Sequence, residues 1–197
     1  KMPSLVVFFI LIGICFVASI FFTSRALGGF YLGDFRGIAL CFAFIAIFYC
    51  FAIFSFRIFG LFAPLREGEI AIGSKDEFVY HVYLLYYLMI FNPVMFSGIV
   101  PIPLMRFFYQ LLGARMGVNS FSVGVIMDPQ FVRIGSNSII GNGALLIPHV
   151  IEGDRLAHYP IVIGNNVTIG AHSIVLADVE IGDGAIIAVN AVVSKGA

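Results

Sequence analysis

The chain has 197 residues, 60% of them hydrophobic and only 11% charged, with no Trp and a formal net charge of zero. So apolar a composition excludes a single soluble domain and points to a membrane protein that carries a soluble part. The zero also hides a split: eight Lys/Arg against five acids over 1–118, three against six over 119–197, a basic half suited to anionic lipid headgroups and no sign of a nucleic-acid partner.

Residues 2–24 carry no charge and are long enough to span a bilayer, which takes about 20 residues. A cleaved signal needs a basic segment before the apolar run and a small-residue cleavage site after it. Neither stands out, so a retained anchor is expected. A Gly-rich connection, RALGGFYLGDFR, leads to a second charge-free run of spanning length at 37–56. Arg57, Arg66 and Lys75 follow, interleaved with Glu67, Glu69, Asp76 and Glu77. The Lys/Arg bias places that side in the cytoplasm, and a helical hairpin with both ends inside is the simplest topology.

Residues 78–105 are charge-free apart from His81, but Pro93, Pro101 and Pro103 interrupt them. A third span fits by length. The preferred reading is helices lying in, or dipping into, the cytoplasmic leaflet, with Arg106 and Arg115 at headgroup level. Tyr80, Tyr83, Tyr86 and Tyr87 resemble interface-seeking residues, and His81 reads as a polar tip there. Cys15, Cys41 and Cys50 all lie in apolar runs. Their spacing fits neither a metal site nor a disulfide framework, so they are expected to be small buried side chains.

From Arg133 the pattern changes to a six-residue repeat. Ile134, Ile140, Leu146, Ile163, Ile169, Val175, Ile181, Ile187 and Val193 share one phase, broken once between Leu146 and Ile163. Four places after most of them stands a slim residue: Ser138, Ala144, Val167, Ser173, Val179, Ala185, Ala191, Ala197. Neither a helical nor a two-residue period fits. A short fixed repeat means a solenoid, each unit stacking an inward aliphatic on the next, worth about 1.5–3 kcal/mol per buried side chain. Gly, Asn and Asp at Asn137, Asn142, Gly143, Asn165, Asn166, Asp183 and Gly184 supply corners, where left-handed backbone angles are needed. Before the repeat, Met116-Gly117 and Val123-Gly124 are seven apart, so the first coil is expected to slip register once. Asp128-Pro129 reads as a turn.

This pattern resembles the hexapeptide-repeat acyltransferases, in their membrane-bound variety; the lead-in DPQFVRIG is similar to a DPxxVxIG run there. The resemblance covers about the last 85 residues. It implies an α+β fold, transmembrane or interfacial helices over 1–113 followed by a left-handed parallel β-helix over 114–197, assembled as a homotrimer. Such domains end in a cap, so the hexad left open at Ala197 predicts an exposed end or a truncated chain. The resemblance also implies a loop leaving the coil with a catalytic histidine. Here that is LLIPHVIEGDRLAHYPIVIGNNVTIG, with His149 where the chain departs.

An imidazole, with its ordinary pKa of about 6.5, suits the base that acyl transfer from a thioester requires. The family mechanism carried to this position is direct attack: His149 takes the acceptor's proton and the acceptor attacks the thioester. Glu152, three residues on, is a candidate to orient the imidazole. PHVIEGDR is close to a PHxxExxR-like run of membrane-bound relatives, including the C-terminal domains of poly-lysine synthetases, which makes Arg155 a candidate contact to a phosphate or acceptor. His172, read as outward on a regular strand, is a candidate acceptor contact from a neighbouring subunit. His158, before the re-entry proline, reads as plain loop. By the same resemblance Gly170, Ala171, Ala188 and Lys195 occupy positions that line the acyl-CoA arm.

The expected activity is an acetyl-CoA-dependent O- or N-acyltransferase of the inner membrane, β-helix domain on the cytoplasmic side. Its acceptor is membrane-associated, a lipid-linked glycan first and an amine on a peptide or amino sugar second. Three alternatives stand beside it: a non-catalytic β-helical scaffold, a peptide-bond-forming relative, and a γ-class carbonic anhydrase. The last needs two ligands five apart. Val167 and Ala177 stand five from His172, so no metal is expected.

Overall fold

The computed structural model describes residues 2–31 and 33–195; the slim position and open hexad expected at Ala197 lie outside the described residues. The chain forms two compact units, one from residues 2–65 with 78–90, the other from 66–77 with 91–195. The expected boundary at 113 is thus displaced. The stretch after the second apolar run and the helices after residue 91 belong with the coil.

In the first unit, α1 (Met2–Leu27) packs against α2 (Arg36–Phe62). Ser4, Phe8, Cys15, Ser19 and Thr23 form the buried stripe of α1. Small residues let the backbones approach closely, as in membrane helix pairs, and Ser19 Oγ donates to the Cys15 carbonyl at 2.6 Å. α3 (Lys75–Tyr86) runs through a π-turn at Tyr87–Phe91 into α4 (Asn92–Phe96). Pro93 therefore does not end the helix. It sits in the first turn of α4, where the wide π-turn upstream accommodates the missing N–H. Tyr80, Tyr83, Tyr86 and Tyr87 are buried rather than interfacial: the Tyr86 hydroxyl meets Ser55 Oγ at 2.7 Å and its ring meets Phe8 edge-on. Of the cysteines only Cys15 is buried, and Cys41 and Cys50 are exposed on α2.

Among the described residues three helices are long and apolar enough to cross a membrane, Met2–Leu27, Gly33–Phe62 and Lys75–Phe96, with 26, 30 and 22 residues. Even the shortest is about 33 Å long at about 1.5 Å per residue, against a hydrocarbon core of about 30 Å.

The second unit is the predicted coil. Four turns of three short strands run β2 (Arg115–Met116), β3 (Phe121–Ser122), β4 (Val125–Ile126); β5 (Val132–Ile134), β6 (Ile139–Ile140), β7 (Leu145–Ile147). After a hairpin, β8 (His149–Glu152) and β9 (Arg155–His158), come β10 (Ile161–Ile163), β11 (Thr168–Ile169), β12 (Ile174–Leu176) and β13 (Glu180–Ile181), β14 (Ile186–Ile187), β15 (Val192–Val193). Equivalent strands pair in parallel into three four-stranded faces, β2-β5-β10-β13, β3-β6-β11-β14 and β4-β7-β12-β15. The hexad aliphatics from Ile134 to Ile181 point inward and are 0–6% exposed, and Ser138, Ala144, Val167 and Ser173 are buried beside them.

The first coil's irregularity is not where the sequence placed it. Met116 pairs with Ile134 and Ser122 with Ile140, in register; Ile126 pairs with Leu146. The corner after β3 is two residues short, and the next, carrying Asp128-Pro129, is two longer. Ser122 hides the hexad phase because a buried serine stands where an aliphatic was expected. It donates to the Gly124 carbonyl at 2.9 Å.

α5 (Ile102–Leu112) covers this end of the coil with Met105, Phe108, Tyr109 and Leu112. The Tyr109 hydroxyl donates to the Gly124 carbonyl at 3.2 Å and accepts from the Ile126 N–H at 3.3 Å. Burial pushes its phenol up to about 12, so it stays a neutral donor. Arg106, expected at headgroup level, instead turns onto the coil, donating to the Gly117 carbonyl at 2.9 Å and lying over the Phe121 ring. Finally, β1 (Gly68–Glu69) joins the hairpin as a third strand, antiparallel to β9.

Candidate active site

The site is built at the corner between the third face and the first. One coil below the hairpin that corner holds Asp128, φ 43°, and one coil above it Asp178, φ 65°. Aspartate tolerates a left-handed backbone better than most residues, so corner geometry admits a carboxylate on both sides of the hairpin root. A buried carboxylate requires a partner. Asp128, its side chain 6% exposed, holds His149 Nδ1 at 2.5 Å from Oδ2. Asp178 pairs with Lys195 Nζ, which raises the lysine pKa above its ordinary value.

His149 opens β8 and faces His158 across the hairpin, where the two are in register. Their ring centroids are 6.4 Å apart at 70°, and His158 in turn stacks on Phe131 at 4.9 Å and 24°. His158 is therefore not loose loop but fully buried. Burial lowers its pKa, partly opposed by the Asp128 charge, and the neighbouring His149 lowers it further. Phe131, His158 and Asp128 thus fix the His149 ring on two sides. Nδ1 is committed to the carboxylate, which leaves Nε2 as the ring nitrogen with which this imidazole can exchange a proton.

His149 lines an open cleft of about 410 Å³ together with Glu152, Arg155, Tyr159, Asp178 and Lys195. Four of the sequence-derived candidates, His149, Glu152, Arg155 and Lys195, come together here. Glu152, however, is not the residue that holds the imidazole. In an extended strand a residue three positions on points to the opposite side. Glu152 is 71% exposed and lies 3.7 Å from Arg155. Arg155 donates from Nε to Glu69 Oε1 at 2.9 Å, tying the hairpin to β1.

The other four candidates lie elsewhere. His172 sits at a corner, φ 57°, not on a strand; its N–H donates to the Asn142 carbonyl and its ring fills the space beside Gly143. Gly170, Ala171 and Ala188 are at that same corner, between the second and third faces. A Cβ on Gly170 would come within 2.5 Å of the Val189 nitrogen, so coil stacking alone demands glycine. Asp128, Asp178, Glu69 and Tyr159 are the site residues that sequence reasoning missed. Among the described residues no group of three or more His, Cys, Asp or Glu is disposed to hold a metal ion.

Residues 160–195 match the family model described as bacterial transferase hexapeptide (six repeats). The Bacillus subtilis (strain 168) protein named "Putative acetyltransferase YvoF" is 36% identical over 72 residues, 36% of this chain and 41% of that protein. Among solved structures, the hexapeptide-repeat containing acetyltransferase VCA0836 from Vibrio cholerae is 26% identical, over 42% of this chain and 52% of that one, with a TM-score of 0.40. Its complex with acetyl coenzyme A gives 24% identity and 0.36 over the same shares. The chain spans about two-fifths of the curated relative's length.

Proposed function

We propose that the protein is a membrane-anchored acyltransferase that moves an acetyl or other acyl group from acyl-CoA to a hydroxyl or amine. The observation that carries this reading is the 2.5 Å contact between Asp128 and His149 at the mouth of a cleft that also holds Lys195 and Arg155. The carboxylate fixes the imidazole with Nδ1 as donor, so Nε2 is the base. Nε2 takes the acceptor's proton as its oxygen or nitrogen attacks the thioester carbonyl. The tetrahedral intermediate collapses, the C–S bond breaks, and the CoA thiolate leaves with the proton returned from Nε2. No covalent acyl-enzyme forms.

The repeat family matched by residues 160–195 and the acetyltransferase names of the partial relatives support this chemistry. Acetyl-CoA is the donor, and the Lys195 ammonium meets its phosphates. Gly170, Ala171 and Ala188 lie at the other end of the third face from the cleft, about 16 Å for the five residues from Ala171 to Leu176, within the length of a pantetheine arm. Glu152 and Arg155 line the acceptor side. The acceptor is membrane-associated, a lipid-linked glycan by preference, because anchoring confines the encounter to the bilayer surface. The coil is left-handed and assembles as a homotrimer, with His172 offered to a neighbouring copy. The helices lie in the inner membrane and the coil on its cytoplasmic side, where acyl-CoA is made.

The test is release of free CoA thiol by the full chain in membranes supplied with acetyl-CoA and acceptor lipid. His149→Ala is expected to abolish release, and Asp128→Asn to lower kcat by about 10²- to 10⁴-fold. Full turnover by His149→Ala overturns the site, and His172→Ala is then the variant to make.

A further inference from the structure

Helix α5 is apolar on two sides. One side, Met105, Phe108, Tyr109 and Leu112, is buried against the coil. The other should be polar if it met water, since a surface helix keeps charge on its outer face. Instead Leu104 and Phe107, three apart on that side, are 57% and 59% exposed, Ile102 in the first turn is 42% exposed, and the Gln110 amide turns back to donate to the Met116 carbonyl at 3.3 Å. The segment just before it continues the pattern, with Phe96 at 55% and Ile99 at 84%. Residues 91–105 hold no Lys, Arg, Asp or Glu at all. The one basic side chain within α5, Arg106, is turned back onto the coil. Five large exposed apolar side chains thus fall within the twelve residues 96–107.

We propose that the outer side of α5, with the 96–101 segment before it, is a lipid-contacting surface by which the coil unit itself lies in the interfacial layer of the membrane. The occupant is lipid because of what precedes the patch. Phe96 ends a helix long and apolar enough to cross the bilayer, and Ile102 opens α5 only six residues later. Six residues reach about 20 Å at most, so α5 cannot leave the vicinity of that helix's end. A helix with Phe and Leu outward there lies about 5–10 Å into the headgroup and acyl boundary. This surface is independent of the acyl-transfer reading, and depends on the membrane reading only in needing the long helices to be inserted.

The chain contains no Trp, so a single introduced Trp reports its own surroundings. The variants are Phe107→Trp and Leu104→Trp in the full chain, with Glu180→Trp as the control. Glu180 is exposed on β13 in the fourth coil, three levels from the end that α5 covers, or about 14 Å at about 4.8 Å per level. Each is reconstituted in phosphatidylcholine–phosphatidylglycerol vesicles, plain or with brominated acyl chains, and floated. The expected result is that all three float with the vesicles. The Phe107→Trp and Leu104→Trp variants emit at shorter wavelength and lose most of their emission to the brominated lipid, while the control is quenched by aqueous iodide alone. Quenching of both α5 probes by iodide means the surface faces water; quenching by neither means protein covers it, a second copy included. Either result overturns the proposal. Failure to float overturns the membrane reading along with it.

Discussion

Asp128 serves two purposes with one residue. Its backbone makes a tight corner and its side chain orients the imidazole, so neither purpose alone accounts for an aspartate there. His158 is the less obvious neighbour. Buried between Phe131 and His149, it is held neutral, its pKa below the ordinary value of about 6.5 chiefly by desolvation. In the unfolded chain it protonates first. Between the two pKa values the unfolded state therefore binds more protons, and stability rises with pH. The contribution is complete above about pH 6.5 and is lost as the pH falls from there toward the depressed folded value. The slope is at most about 1.4 kcal/mol per pH unit. His158→Phe keeps a flat ring against Phe131 and removes the titration. Thermal midpoints of the detergent-solubilised protein from pH 7.5 to 5 should fall less steeply for this variant than for the wild type. Parallel curves would show that His158 carries no such proton linkage.

At the level of elements, the six-residue period carries most of the coil, because a triangular solenoid repeats one inward position per strand and burial selects an aliphatic at nearly all of them. Ile134 through Ile181 need no other information. What the period cannot carry is where the corners change length. Two residues lost after β3 and two gained before β5 move Asp128 out of countable register. In sequence the carboxylate beside His149 therefore reads as a turn, and Glu152, nearer along the chain, takes its place. β1 is illegible for another reason: two residues pairing with a strand some 90 positions away leave no local periodicity. The short corner is closed by Tyr109 from α5. Tyr109→Phe removes the acceptor for the Ile126 N–H, while the Gly124 carbonyl keeps the Ser122 hydroxyl. One orphaned buried N–H costs about 1–3 kcal/mol, so a fall of several degrees in the thermal midpoint is expected. An unchanged midpoint would mean that the hydroxyl does not close the coil.

The three faces of the coil are chemically unequal, and this bears on how whole molecules meet. The first turns Arg115, Arg133 and Glu180 outward, with one apolar residue, Val162, among them. The second shows Ile139 and Ile186, 52% and 79% exposed, and the third ends on Val192 at 63%. Apolar residues on the outside of such a unit mark contact surfaces, and here they fall on two different faces. A contact between unlike faces cannot close as a two-fold pair. Repeated by rotation it closes a ring, and a triangular prism offering two of its three sides closes most simply with three copies, each keeping its charged side to solvent. Mass measurement of the solubilised wild type is therefore expected to give three chains per particle. Ile186→Glu puts a charge into the middle of that contact and should release single chains at the same protein concentration, while Arg133→Glu, on the charged face, should leave the assembly intact. A wild-type mass of one chain, or dissociation by Arg133→Glu and not by Ile186→Glu, would mean that the apolar faces are covered by something other than copies of this chain.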